Sequence, residues 1–410
     1  MVDRNHGQII ACSVTGKLTV HSGGIANANY GDIIACWFNG TLKDESGCGT
    51  IVRFNYKNIT SCYWGGNAGL GVLRNEGGTV VATKVDGATV KWQTAVDGMN
   101  TALTDNDYQW ALGTDGLMNV AELVNGGKTD INITLDKNID LTGKSWTPIG
   151  TDYDNSYTGT FDGGGHTITG LTVTTNDEYA GLFGYLGNFN NGAATVKNVV
   201  MDGIQITCNH RLGYAGGVAG FSWGTIENCS VSGSISGTMS VGGVVGVQRD
   251  HPITGCSSSA TVKGTLNVGG VAGQTIFGAT LTACYTTGNV IIEIDRTQNI
   301  SGGGLVGFND GISLLSCYAT GNVTSTGSGT GNVHIGGFLG DNYITVTACY
   351  WKNNHEQGIG YNRESTKATK VDGTNVTWQN AVDAMNTALQ NKGSEWRYEL
   401  KGALPTLRKQ

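Results

Sequence analysis

Hydrolysis or elimination on a polysaccharide needs two or three carboxylates, sometimes with a basic residue, converging on one groove. The densest carboxylate set here is Asp152, Asp154 and Asp162, with Asp177 and Glu178 nearby; His166 follows in Phe161-Asp-Gly-Gly-Gly-His166. Such residues, scattered among glycines and asparagines, read as polar turn positions rather than as a catalytic or calcium site, and His166 reads as a turn residue. The recurring Gly-Gly-x-x-Gly (Gly216 to Gly220, Gly242 to Gly246, Gly269 to Gly273, Gly303 to Gly307, Gly336 to Gly340) lacks the Lys-Ser/Thr of a phosphate loop, so its glycines read as turns. The cysteines lack the paired short spacing of a zinc site. No catalytic residue, metal or cofactor is expected.

Aromatic residues are better candidates. Trp37, Tyr63, Tyr285, Tyr318 and Tyr350 each follow a cysteine that recurs along the chain. Alternation along a strand points such a residue outward. If the cysteines stack, the rings form a strip at ~5 Å intervals, able to lie against sugars or a partner's flat surface. The competing reading is that the rings pack against loops, caps or each other.

The element that must position them is a repeat. Cys12, Cys36, Cys62, Cys229, Cys256, Cys284, Cys317 and Cys349 each have a branched aliphatic residue three positions earlier, from Ile9 through Ile226, Ile253, Leu281 and Leu314 to Val346. Gly is 66 of 410 residues, Pro 3, and charged residues 14%. That composition suits many turns and close packing of small side chains. A repeat of this length holds two or three short strands, which is one coil of a parallel β-helix, and stacked coils bury a column of like residues. The expected fold is all-β, a parallel β-helix with small helical caps; right-handed coiling is expected only from the general preference of parallel crossovers. Stacked cysteines point in parallel, so the thiols should be mostly free. An aliphatic residue and a cysteine three apart would face opposite ways on a regular strand, so a bend or bulge must return both to the interior. Cys48 and Cys208 fall outside the register without explanation.

A longer duplication crosses the coils. Ala82 to Gly87 and Trp92 to Leu103 recur as Ala368 to Gly373 and Trp378 to Leu389, each after a Cys-Tyr-Trp. Trp378, Ala381, Val382, Met385 and Leu389 share one helical face, with Thr377 as N-cap and Gly393 as the stop. Each helix is expected to cap a solenoid end. The predicted divisions are 1–64, terminal coils of a first unit; 65–116, its cap; 117–180, the opening segment of a second unit with a short helix from Leu117 to Val124; 181–350, the main stack; and 351–410, the C-terminal cap.

The formal net charge of −7 and the lack of a Lys/Arg run argue against nucleic acid as a partner. No stretch approaches the ~18 apolar residues of a membrane span, and no apolar signal core follows Met1, so an export signal or anchor would lie outside this chain.

These residues resemble the GLUG-motif family, whose Gly-Leu-x-Gly element is seen in Gly181-Leu-Phe-Gly184 and Gly304-Leu-Val-Gly307. The segments Ile139 to Gly150 and Thr158 to Ile168 also look like that family's usual start. The resemblance implies a large secreted or surface-attached bacterial protein, as in adhesin-like proteins and some immunoglobulin A peptidases. Peptidase members carry a zinc-binding His-Glu-x-x-His; here His355-Glu356 is followed by Gln357-Gly358-Ile359, so that activity is not implied. The expected function is a non-catalytic module at the cell surface or outside the cell, an adhesin-like binder or spacer with a glycan or extracellular protein as ligand. The alternative is a polysaccharide-degrading enzyme. Three carboxylates in one groove would favour the enzyme, and a smooth Thr/Ser/Asn face the module.

Overall fold

The computed structural model describes residues 2–18, 22–42, 47–66, 70–86, 89–90, 92–104, 110, 125, 127, 129–135, 137–190, 192–296 and 298–410. The helix expected from Leu117 to Val124 lies outside them. The chain divides into two compact units, Met1–Asn119 and Val120–Gln410.

In Val120–Gln410 the chain winds through four strand positions per coil, and each coil pairs in parallel with the next. The predicted column is present: Ile226, Ile253, Leu281 and Leu314 are register partners, none more than 1% exposed. Met1–Asn119 also stacks its coils in parallel, with Ile9, Ile33 and Ile59 in one column.

The bend between aliphatic residue and cysteine is a single left-handed residue. Ala11, Ala35, Ser61, Asn198, Asn228, Gly255, Ala283, Ser316 and Ala348 all lie immediately before the column position occupied by Cys or Val199, with φ between 48° and 65°. A non-glycine residue there costs roughly 1–2 kcal/mol, and the bend also takes the following N–H out of ordinary strand pairing. Sulfur fills the gap. The N–H of Cys36 donates to Sγ of Cys62, that of Cys229 to Cys256, that of Cys284 to Cys317 and that of Cys317 to Cys349, each at 3.4 Å. Each thiol in turn reaches a carbonyl two residues back, as Cys317 Sγ does to Leu315 O at 3.3 Å. Burial pushes the Cys62, Cys256 and Cys317 thiols up, so these three keep their S–H. All ten cysteines are free, as expected. Cys208 closes a different turn, its Sγ donating to Asp177 O at 3.2 Å, and Cys48 is packed into the core of the first unit.

A second internal column was not foreseen. Asn5, Asn29, Asn55 and Asn75 pass amide hydrogens along one corner at 2.7, 2.8 and 2.9 Å, and Asn309, Asn342 and Asn362 do so in the second unit at 2.8 Å each. A carboxamide both donates and accepts, so one stacked on another satisfies itself where the chain turns inside the solenoid. The Gly-Gly-x-x-Gly glycines also act differently from expectation. None of Gly216, Gly242 or Gly246 has a left-handed φ; a Cβ on Gly246 would sit 2.4 Å from Gly220 O and 2.8 Å from Ser240 O. They permit backbones to approach rather than reverse the chain.

The caps need two corrections. The stacks run further than predicted, through strands Val80–Lys84 in the first unit and Ile359–Asn362 and Thr369–Lys370 in the second. The helices then lie along the flank of the coils instead of closing an end. Trp378–Asn391 begins at the Thr377 capping box with Asn380 and buries Trp378, Ala381, Val382, Met385 and Leu389 as predicted. Those side chains pack with Ala283, Leu315, Tyr318 and Tyr350 from successive coils. The chain continues down the flank as a strap: Trp396 lies on Gly255, and Lys409 pairs with Glu227 at 2.8 Å. The flank is favoured because apolar and aromatic residues of successive coils stand there to receive the helix's apolar face.

The first unit carries a strap of the same design. Its helix Trp92–Ala102 packs on Ala35, Trp37 and Tyr63. Asn100 clamps the backbone of Trp110 with bonds of 2.9 and 2.6 Å, as Asn386 clamps Tyr398 with 2.9 and 2.8 Å. The clamped ring then reaches a bend carbonyl, Trp110 Nε1 to Ala35 O at 2.6 Å and Tyr398 Oη to Ser316 O at 2.9 Å.

In the native chain one thiol, Cys12, should react promptly with a thiol reagent, and the other nine only as the chain unfolds; counting released chromophore before and after denaturant checks this. Gly255→Ala places a Cβ 2.2 Å from the Trp396 ring at a residue with φ +65°. It should lower unfolding stability by about 2–4 kcal/mol, read from the urea midpoint together with a change in tryptophan emission as Trp396 is displaced.

Candidate functional site

Four of the five aromatic residues, Trp37, Tyr63, Tyr318 and Tyr350, are covered. Trp37 packs edge-on against Trp110, ring centroids 5.9 Å apart, and Tyr63 lies over Gly98, which has no Cβ to obstruct it. Tyr318 is fully buried, its hydroxyl donating to Pro405 O at 2.6 Å and its ring meeting Trp378 and Tyr398. Tyr350 is buried in the same cluster. The expected open strip is thus an interface within the chain, because rings repeated on one flank offer the strap its apolar footing. Burial pushes the Tyr318 hydroxyl far above its usual range, so it remains a donor.

Tyr285 is the exception. It stacks on Tyr318 with centroids 4.9 Å apart and planes 9° apart, and is half-buried. Its register partner in the preceding coil is Ser257, then Ser230 and Val200. The column therefore drops from rings to small residues beside Tyr285, leaving a cavity of about 510 Å³. Ser230, Ser232, Ser257 and Ser259 line it, with Asp202 at the rim and strap residues Leu404 and Pro405 along one wall. Ser232 Oγ donates to Asp202 Oδ1 at 2.6 Å.

The carboxylates near the opening of the second unit hold turns. Asp152 accepts from the N–H groups of Asp154 and Asn155, both at 3.0 Å, and from Thr151 Oγ1 at 2.9 Å. Partial burial raises its proton affinity, but the Asn155 and Thr151 donors outweigh it and its pKa falls below the usual range. Asp162 accepts from Gly164 N and Asn198 Nδ2, both at 2.9 Å, and pairs with Lys197 at 3.3 Å. Asp177 accepts from Thr175 Oγ1 at 2.9 Å. His166 follows the turn at Gly163, its N–H donating to Gly163 O at 2.8 Å.

A buried carboxylate that the sequence did not single out is Asp341, 5% exposed. It receives Ser301 Oγ and faces His334 Nδ1, both at 2.5 Å. Its partners lie one coil away or across the fold between adjacent sheets, a relation only the register reveals. Among the described residues no three of His, Cys, Asp or Glu gather as a metal site.

The GLUG motif model matches residues 212–236 and 298–324, each spanning the end of one coil and the start of the next. Halomucin of Haloquadratum walsbyi is 41% identical over 105 residues, which is 25% of this chain and 1% of that protein. A provisionally named Gly-rich membrane protein of Evansella cellulosilytica is 37% identical over 101 residues, 24% of this chain and 11% of that protein. The chain thus matches only a small part of either relative's length. Among solved structures, a provisionally named immunoglobulin A1 protease from Bacteroides ovatus aligns with a TM-score of 0.54 over 72% of this chain and 90% of its own, at 17% identity, a likeness of fold. With its coils stacked in parallel and the motif matched in two places, the chain is a parallel β-helical repeat protein carrying the GLUG motif.

Proposed function

We propose that this chain is a non-catalytic, adhesin-like module displayed outside the cell, which binds a glycan or extracellular protein through the outer wall of its coils. One observation carries the reading: the cavity beside the strap presents a smooth row of serines with Asp202 at its rim, where a polysaccharide-cleaving enzyme would need converging carboxylates. The carboxylates near the opening of the second unit are engaged by turn N–H groups and side-chain donors, which suits a scaffold better than proton transfer. The similarity to halomucin and to a Gly-rich membrane protein supports a surface setting. No helix among the described residues is long and apolar enough to cross a membrane.

Beads coated with the purified chain should adhere to glycan- or matrix-protein-coated surfaces above an uncoated control, while the same protein releases no reducing sugar from a panel of polysaccharides. Release that is lost in Asp202→Asn would replace this reading with the enzyme.

A further inference from the structure

Tyr285, Tyr318 and Tyr350 begin a column that the strap covers only in part. Stacking sets the ring spacing: Tyr285 and Tyr318 are 4.9 Å apart and nearly parallel, which is the separation of neighbouring strands. Tyr285 therefore has one face against Tyr318, and its other face is directed toward the coil of Ser257. There the column has no ring to offer. A six-membered ring that lays one face on Tyr285 would continue the stack over Ser257, one coil below Tyr285.

The walls of that slot define the kind of ring. An aromatic guest would leave the surrounding hydroxyls without partners, whereas a sugar carries hydroxyls around its edge and C–H groups on its faces. Ser230 and Ser257 lie on the floor of the slot, and Ser232 and Ser259 stand one column away. Asp202, already held by Ser232 through Oδ1, has Oδ2 at the rim to accept from a sugar hydroxyl. Leu404 and Pro405 give the slot an apolar side, and Pro405 is fixed by the Tyr318 hydroxyl. The strap thus has a second consequence: it buries two tyrosines of the column and walls the open face of the third. A cavity of about 510 Å³ is in the range of small-ligand sites.

We infer that this slot is a carbohydrate-binding site, in which a pyranose ring stacks on the open face of Tyr285 above Ser257 while Asp202 and the serines hold its hydroxyls. The inference rests on the adhesin-like reading and gives it one ligand class and one place.

The full chain is tested on an array of defined oligosaccharides, and the sugar bound is then titrated in solution. Tyr285→Ala should weaken binding about five- to tenfold, the size expected for loss of one ring-stacking contact. Ser257→Tyr is the sharper variant, because it extends the existing tyrosine column into the slot, leaves the fold intact by the column's own rule, and should abolish binding. Asp202→Asn should weaken binding with unchanged thermal stability. Binding that survives both Tyr285→Ala and Ser257→Tyr overturns the site while leaving glycan adhesion standing. Failure of the wild-type chain to retain any sugar overturns the carbohydrate assignment, and adhesion to matrix proteins in the bead assay would then show that the adhesin-like reading survives without it.

Discussion

Most coils turn on one left-handed residue between a buried aliphatic side chain and a cysteine of the column, and the rest of the structure depends on how that bend is made tolerable. The bend costs backbone energy and orphans the next N–H in a place water does not reach. The sulfur one coil on accepts that N–H, as Cys62 does from Cys36, while its own S–H finds a carbonyl two residues back. This explains why cysteine recurs where valine would fill the space almost as well. Val199 does occupy the position once, after Asn198, and there the bend is held instead by side-chain bonds from Asn198 to Asp162 and from Asn228 to Asn198.

The same bend organises the flank. Its carbonyl is turned away from the interior, and in both units an aromatic residue of the strap donates to it, Trp110 to Ala35 and Tyr398 to Ser316. The two straps, which share the duplicated helix, use one hydrogen-bonding scheme, with the equivalent asparagines Asn100 and Asn386 clamping the aromatic residue's backbone in each. The duplicated helices are therefore side braces. They tie successive coils together across the stacking direction, where the parallel sheets supply only strand-to-strand bonds.

Bracing also decides what the outer wall can offer. Tyrosines that alternation sends outward become footing for the strap wherever it runs, and the open wall lies beyond its margin. At Tyr285 the margin leaves a ring face, a row of hydroxyls and an apolar ledge together, a combination suited to a polyol more than to proton transfer. The carboxylates that stood out in the sequence are engaged elsewhere, binding the N–H groups and amides of turns.

The sequence alone determined the parallel stack, the column from Ile226 to Leu314, the free thiols and the apolar face of Trp378–Asn391. Each follows from local chemistry repeated at a fixed interval, and a bend between Ile and Cys was required by alternation before its form was known. The asparagine columns were visible only as scattered Asn residues, since a carboxamide ladder is recognised when register places one amide on the next. Tertiary structure alone decided that the helices lie along the flank, that Tyr318 is covered while Tyr285 is not, and that Asp341 meets Ser301 and His334. Those outcomes depend on which coil a distant segment reaches and on contacts between residues tens of positions apart, and one-dimensional spacing carries no record of either.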